Sequence, residues 1–196
     1  MNLILASASP RRKALLEQIG VQCQVSPVDI CEVPLAGEAA STYVERLAIE
    51  KARCCFKLGS EESVVLGADT TVVVDGVIMG KPEDQEDAIR TLLSLSGRTH
   101  QVITAVAVVT AEQTQSVVVE TDVRFKSLTR EECLAYWCTG EPADKAGSYG
   151  IQGYGAIFVE EIKGSYSAVV GLPLAETAAM LKQVDVPVWQ SEQDKG

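Results

Sequence analysis

Residues 3–12 read LILASASPRR, and the rest of the chain is best understood outward from this stretch. Leu3, Ile4 and Leu5 form a short buried strand, and Ser7 and Ser9 supply hydroxyls. Ser9 followed by Pro10 is an N-cap serine with proline at the first helical position. Ala14, Leu15, Leu16 and Ile19 then recur at helical spacing, and Gly20 stands where helices commonly stop. The reading is strand, turn, helix. The first turn of such a helix leaves N–H groups unpaired and carries a partial positive charge. An oxyanion beside Arg11 or Arg12 would therefore be held from several directions. A capped surface helix with two solvated arginines has the same signature, so this segment needs support from elsewhere in the chain.

Downstream, the pattern alternates between helix and strand. A polar stretch covers 28–37, a helix is expected over 41–58, and an apolar strand over 64–68. Runs at 70–74 and 77–79 flank Asp75-Gly76, a strong hairpin turn pair. A helix is expected over 83–95, two neighbouring strands over 101–110 and 116–126, and a capping box from Thr129 and Glu132 opens a further helix. Residues 140–171 hold seven of the fifteen glycines, which implies loops that approach something closely or take unusual backbone angles. Strands are expected near 156–162 and 168–170, and Leu172-Pro173 opens a last helix to about 182. The sum is an α/β protein with a mixed sheet. One domain covers 1–183, and 184–196 reads as a flexible tail.

The chain has 196 residues, enough to bury a core without staples. Its apolar runs fall far short of the roughly 18 residues that span a bilayer, and Met1 leads into a strand rather than a basic, apolar leader, so a soluble cytoplasmic protein is expected. Cysteines lie at 23, 31, 54, 55, 133 and 138 without a CxxC pair, and His100 is the single histidine, which supports neither a zinc site nor a redox motif. The net charge of −10 argues against nucleic acid as a partner. A free polyphosphate could bind only where basic residues gather locally or a divalent cation bridges carboxylates to phosphate.

Three residues break the packing pattern around them, which is where function is expected. Val44, Leu47, Ala48, Ala52 and Cys55 form one inward stripe of a helix, and Lys51 fills the stripe's missing position. Its ammonium either points to a cleft or snorkels to water. Asp69 interrupts the apolar run 64–74, where a carboxylate loses hydration unless a cation, a metal or donors compensate it. The competing reading is an Asx turn at a strand end, with Gly67 allowing a bend. Lys81, in GKP, is forced into an extended conformation by Pro82, which would project its ammonium away from the following helix; a solvated turn lysine is the competing reading. Glu32 belongs to an acidic pair with Asp29 and is uninformative by itself, and Gln152 lies between glycines, where an amide could read a base edge or the segment could equally be a tight turn. Rossmann, P-loop and GxSxG motifs are all missing from the sequence.

These same residues resemble the Maf-type nucleoside triphosphate pyrophosphatase family: SASPRR at the start, ERLAIEKA around Lys51, GADT at Asp69, GKP at Lys81, and DKAGSYGIQG followed by VVGLP. The resemblance covers nearly the whole chain to about Lys182. It implies a Maf-like, ITPase-like two-lobed fold, with a mixed, strongly twisted sheet and flanking helices around a central cleft. It implies Ser7, Arg11, Arg12, Lys51 and Lys81 as substrate-binding residues, Asp69 as the catalytic proton acceptor, and Glu32 with Asp69 as ligands of Mg2+ or Mn2+. Whether Asp69 acts as base or as metal ligand stays open. Arg12, Thr70 and Gln152 fall at the positions that separate substrate classes, and they resemble the branch acting on dTTP, UTP and related modified pyrimidine nucleotides. The resemblance also implies a homodimer. The alternatives are a nucleotide-binding regulator of septum formation and a pyrophosphatase of noncanonical purine triphosphates. A carboxylate among cations favours chemistry over mere binding, since a pure phosphate binder gains nothing from an acid facing the anion.

Overall fold

A computed structural model describes residues 2–59 and 63–190. Among the described residues, seven strands form one mixed sheet in the order β2-β1-β3-β5-β6-β7, with β4 paired to β3. Packing divides the chain into two compact units: Met1–Asp69, Thr104–Val119 and Gly171–Gly196 in the first, Thr70–Ile103 and Glu120–Val170 in the second.

In the first unit, β1 (Asn2–Leu5) runs parallel to β2 (Gln24–Val25) on one side and to β3 (Ser63–Val74) on the other, with Leu3 opposite Val64. Helix α1 (Pro10–Gln18) follows β1 directly, and α2 (Ala40–Leu58) precedes β3. The expected stripe of α2 is buried, from Val44 through Leu47, Ala48, Lys51 and Ala52 to Cys55. A Cβ at Gly67 would lie 2.3 Å from the Ala48 carbonyl oxygen and 2.8 Å from the Ala52 amide nitrogen. Only glycine lets strand and helix backbones approach this closely. The bend at Gly67 that the competing reading of Asp69 would need does not form. Strand β3 runs unbroken through Asp69, which rules out a strand-end Asx turn.

Helix α6 (Leu174–Gln183) also belongs to the first unit. Beyond it, part of the segment expected to be a flexible tail is held in place. Val184 and Val186 are buried, and the amides of Trp189 and Gln190 donate to the carbonyls of Ile19 and Gly20 at the end of α1. Residues 191–196 lie outside the described residues.

In the second unit, β3 turns into β4 (Val77–Met79) through Asp75 and Gly76, both at positive φ, as a type I′ hairpin requires. Helix α3 (Gln85–Leu95) begins two residues later than expected, because the Asp84 carboxylate caps it by accepting from the Asp87 amide at 2.8 Å. Strands β5 (Thr99–Val109) and β6 (Thr114–Phe125) contribute one portion to each unit. Helix α4 (Arg130–Trp137) carries the expected capping box, with both reciprocal bonds between Thr129 and Glu132 made. The glycine-rich region consists of short 3-10 turns at Glu141–Asp144, Ala146–Ser148 and Tyr154–Phe158, then β7 (Val159–Lys163) antiparallel to β6.

The strand expected near 168–170 is instead helix α5 (Tyr166–Val170). The Ser165 hydroxyl accepts from the Ala168 amide at 3.2 Å, and this local cap overrides the β-preference of two adjacent valines. The core of this unit holds His100, Phe125, Tyr149, Phe158 and Tyr136 in successive edge-to-face contacts, with centroids 4.7–5.9 Å apart. His100 Nε2 and the Tyr149 hydroxyl share a 2.8 Å hydrogen bond. Burial drops the His100 pKa to about 4, so the ring is neutral near pH 7.

Candidate functional site

Ser7, Arg11, Arg12, Glu32, Lys51 and Asp69 all belong to the first unit. The close crossing at Gly67 brings two of them together. Asp69 lies two residues beyond Gly67 and so projects from the same face of β3, while Lys51 lies between Ala48 and Ala52 on α2. The result is a Lys51 Nζ to Asp69 Oδ1 distance of 2.7 Å, with both residues 9% exposed. The same ammonium meets Glu32 Oε1 at 2.5 Å. Lys51 therefore does not snorkel. It offsets the cost of burying one carboxylate and draws a second, half-exposed one to the same point.

Glu32 comes from an irregular segment, yet that segment is pinned. The Tyr43 hydroxyl donates to the Glu32 carbonyl at 2.8 Å, and Arg46 donates to the Val33 carbonyl at 3.2 Å and to both Glu38 carboxylate oxygens at 2.7 Å. Those Arg46 bonds hold the Glu38 pKa down to about 2. Burial pushes the Tyr43 pKa up to about 12, with Asp69 and Glu32 adding to the rise, so Tyr43 remains a donor. Tyr43, Arg46 and Glu38 escaped the sequence reading, because their bonds to the 32–38 segment depend on how that segment folds back onto α2.

At the start of α1, Ser9 occupies the N-cap position, but its side chain makes no cap bond. Its amide instead donates to Ser7 Oγ at 3.3 Å. Ser7 Oγ also accepts from Arg12 Nη1 at 2.9 Å, and Arg12 Nε donates to the Gly171 carbonyl at 2.8 Å. The guanidinium is thereby fixed in direction. Desolvation pulls the Arg12 pKa below its ordinary value, Asp69 and Glu32 push it back up, and neighbouring Arg11 pulls it down. These four charges feel one another, and an arginine stays protonated under such a shift. An anion beside the arginines and a hard cation on the two carboxylates are the ligands this arrangement can take.

Thr70 follows Asp69 in β3 and opens the second unit, which also contains Lys81 and Gln152. Lys81 and Gln152 are exposed there, and the carbonyl of Gly80, beside Lys81, accepts from the Gly147 amide at 3.1 Å. Among the described residues no group of three or more histidine, cysteine or acidic side chains could hold a metal on its own. No helix among them is long and apolar enough to cross a membrane.

Fold and charges together define an α/β protein that sets arginines at a helix start beside a lysine-bridged pair of carboxylates. The sequence signature of the family described as "Maf-like protein" matches residues 2–184, and the chain belongs to that family. It is 52% identical over 193 residues to a protein of Saccharophagus degradans named dTTP/UTP pyrophosphatase, covering 97% of this chain and 92% of that one. It is 55% identical over 183 residues to a protein of the same name from Vibrio parahaemolyticus, covering 93% and 97%. A solved structure from Mycobacterium abscessus, titled nucleoside-triphosphatase / dITP/XTP pyrophosphatase, is similar at a TM-score of 0.46 and 20% identity, covering 93% of this chain and 94% of that one.

Proposed function

We propose that this chain hydrolyses the α–β phosphoanhydride of dTTP, UTP and related modified pyrimidine nucleotides, consuming one water and releasing the nucleoside monophosphate and pyrophosphate. The relatives' shared name supports the substrate class. The observation that carries the chemistry is Asp69, a carboxylate set inside a buried strand and held by Lys51 at 2.7 Å, with Glu32 on the same ammonium.

In this reading Arg11, Arg12, Lys51 and Lys81 bind the phosphates and offset the charge that grows on the departing pyrophosphate. Ser7 keeps Arg12 aimed through its 2.9 Å bond. Asp69 accepts the proton of the attacking water as the new phosphorus–oxygen bond forms and the bridging oxygen leaves with pyrophosphate. Two carboxylates form a hard-oxygen donor set, which suits a divalent cation that completes its coordination with water and substrate phosphate. Glu32 and Asp69 would hold Mg2+ or Mn2+, which when bound neutralises phosphate charge. Thr70 and Gln152 contact the pyrimidine, where a site built on paired hydrogen bonds rejects bases that leave its polar groups unsatisfied.

The same proposal covers a cytoplasmic homodimer working on free nucleotides. The test is a turnover panel of dTTP, UTP, CTP, GTP and 7-methyl-GTP with Mg2+ and Mn2+, reading pyrophosphate. Release of orthophosphate alone would refute the choice of bond. Gln152→Glu is expected to depress UTP and dTTP turnover while leaving Tm unchanged, and equal loss of both would remove its base-reading role.

A further inference from the structure

Gln152 stands at the apex of the six-residue loop 150–155, GIQGYG, and both ends of that loop are gripped by one pair of side chains. The Glu141 carboxylate accepts the Tyr154 amide on Oε2 at 2.8 Å and the Gly155 amide on Oε1 at 3.1 Å. The Tyr136 hydroxyl donates to the same Oε1 at 2.6 Å and accepts the Gly150 amide at 3.0 Å. Carboxylate and phenol thus tie the loop's first residue to its last two. The loop's glycines make the fit possible. A Cβ at Gly153 would lie 2.0 Å from Glu141 Oε2, and one at Gly155 would lie 2.6 Å from the Tyr136 oxygen.

Both gripping side chains are themselves held. Tyr136 is buried, with its ring edge-to-face on Phe158 at 4.9 Å, while Glu141 donates its amide to Thr139 Oγ1 and accepts Lys145 Nζ on its carbonyl at 2.7 Å. Burial alone would raise the Glu141 pKa, but the donated bonds from Tyr136, Gly155 and Tyr154 and the Lys145 charge hold it below the ordinary carboxylate value. The carboxylate accepts three hydrogen bonds, yet it faces only the protein's own loop.

We propose that Glu141, with Tyr136, is the positioning residue that fixes the 150–155 loop and so sets the discrimination between uracil or thymine and cytosine exerted by Gln152. This rests on the reading of Gln152 as the base-contacting amide. Glu141 touches no substrate and acts by denying the loop other conformations. A rigid reader rejects the wrong base because its polar groups cannot relax to suit it.

Glu141→Gln keeps the shape but replaces one acceptor oxygen with an NH2 that faces a donor. The measurement is the ratio of kcat/KM for UTP to that for CTP in the full-length protein. The variants are Glu141→Gln, Tyr136→Phe, Gln152→Ala and the Glu141→Gln/Gln152→Ala pair. Glu141→Gln is expected to lower the ratio about tenfold, mainly through KM for UTP, with a smaller drop for Tyr136→Phe. The pair is expected to be no less selective than Gln152→Ala alone, since both changes remove one function. Faster amide exchange at Tyr154 and Gly155, with slow core exchange preserved, is the expected signature of a released loop in a folded protein. An unchanged ratio in Glu141→Gln alongside a collapsed one in Gln152→Ala overturns the latch and leaves the base reading standing. An unchanged ratio in Gln152→Ala overturns the base reading and the proposal with it. Additive losses in the pair overturn the coupling between the two residues.

Discussion

In the first unit, the polar groups that matter are charged side chains sunk into packing, whereas in the second they are the backbone amides of an exposed loop caught by a carboxylate. Lys51 and Asp69 are both nearly buried, and loss of Lys51 leaves the Asp69 carboxylate uncompensated, whereas loss of Asp69 leaves the ammonium paired with Glu32. The 150–155 loop depends on one carboxylate, Glu141, but no opposite charge has to balance it inside the core. Four hydrogen bonds and three glycines share the task of holding it. Buried charges concentrate function and risk at a few atoms, while a hydrogen-bonded loop spreads both over several bonds of roughly 1 kcal/mol each.

The largest effect that could break this contrast is on turnover at Asp69. Asp69→Asn should cost about 10²-fold or more in kcat with the fold retained, and near-normal turnover would remove the carboxylate from the chemistry. Next comes stability at the same pair. Lys51→Met should destabilise by about 3–5 kcal/mol, seen as a Tm lower by about 10 °C. Adding Asp69→Leu to Lys51→Met should restore most of that stability without activity, because a buried pair replaced as a whole is often neutral.

The second unit supplies a smaller effect, governed by pH. The folded His100 pKa, about 4, lies below the unfolded value of 6.5, so the unfolded chain takes the proton first as the pH falls. Stability should therefore decline as the pH drops through 6.5 toward 4, by about 2 kcal/mol between pH 7.5 and 5. Urea midpoints at the two pH values read this directly, and His100→Gln should flatten the difference. The smallest effect belongs to the clasp on the Glu32 segment. Tyr43→Phe should cost about 1 kcal/mol, a Tm shift of a few degrees, and a larger loss would mean that this segment is as critical as the ion pair itself.

Lys51 was legible because it fills a gap in an apolar helical stripe, and Asp69 because it interrupts an apolar strand. Their partnership was not legible, since it depends on the backbone approach at Gly67, which a strand pattern shows only as a weak point. Glu141 and Tyr136 gave no signal of their own. The glycines at 150, 153 and 155 did announce that something comes close, without saying what. The misread strand at 168–170 shows the opposite failure, in which a single serine hydroxyl outweighed the local β-preference.

By itself, then, the sequence determined the alternation of strands and helices, the mixed sheet and the odd residues out, because periodicity and out-of-place polarity are properties of neighbours along the chain. Only the tertiary structure decided that one ammonium serves two carboxylates, that Ser7 takes both the Ser9 amide and the Arg12 guanidinium, and that an acid outside it holds the Gln152 loop. Apart from the bond to the Ser9 amide, these contacts join different elements, five residues apart for Ser7 and Arg12 and 18 for Lys51 and Asp69. Their geometry follows from how closely two backbones can pack, and no local pattern encodes that distance.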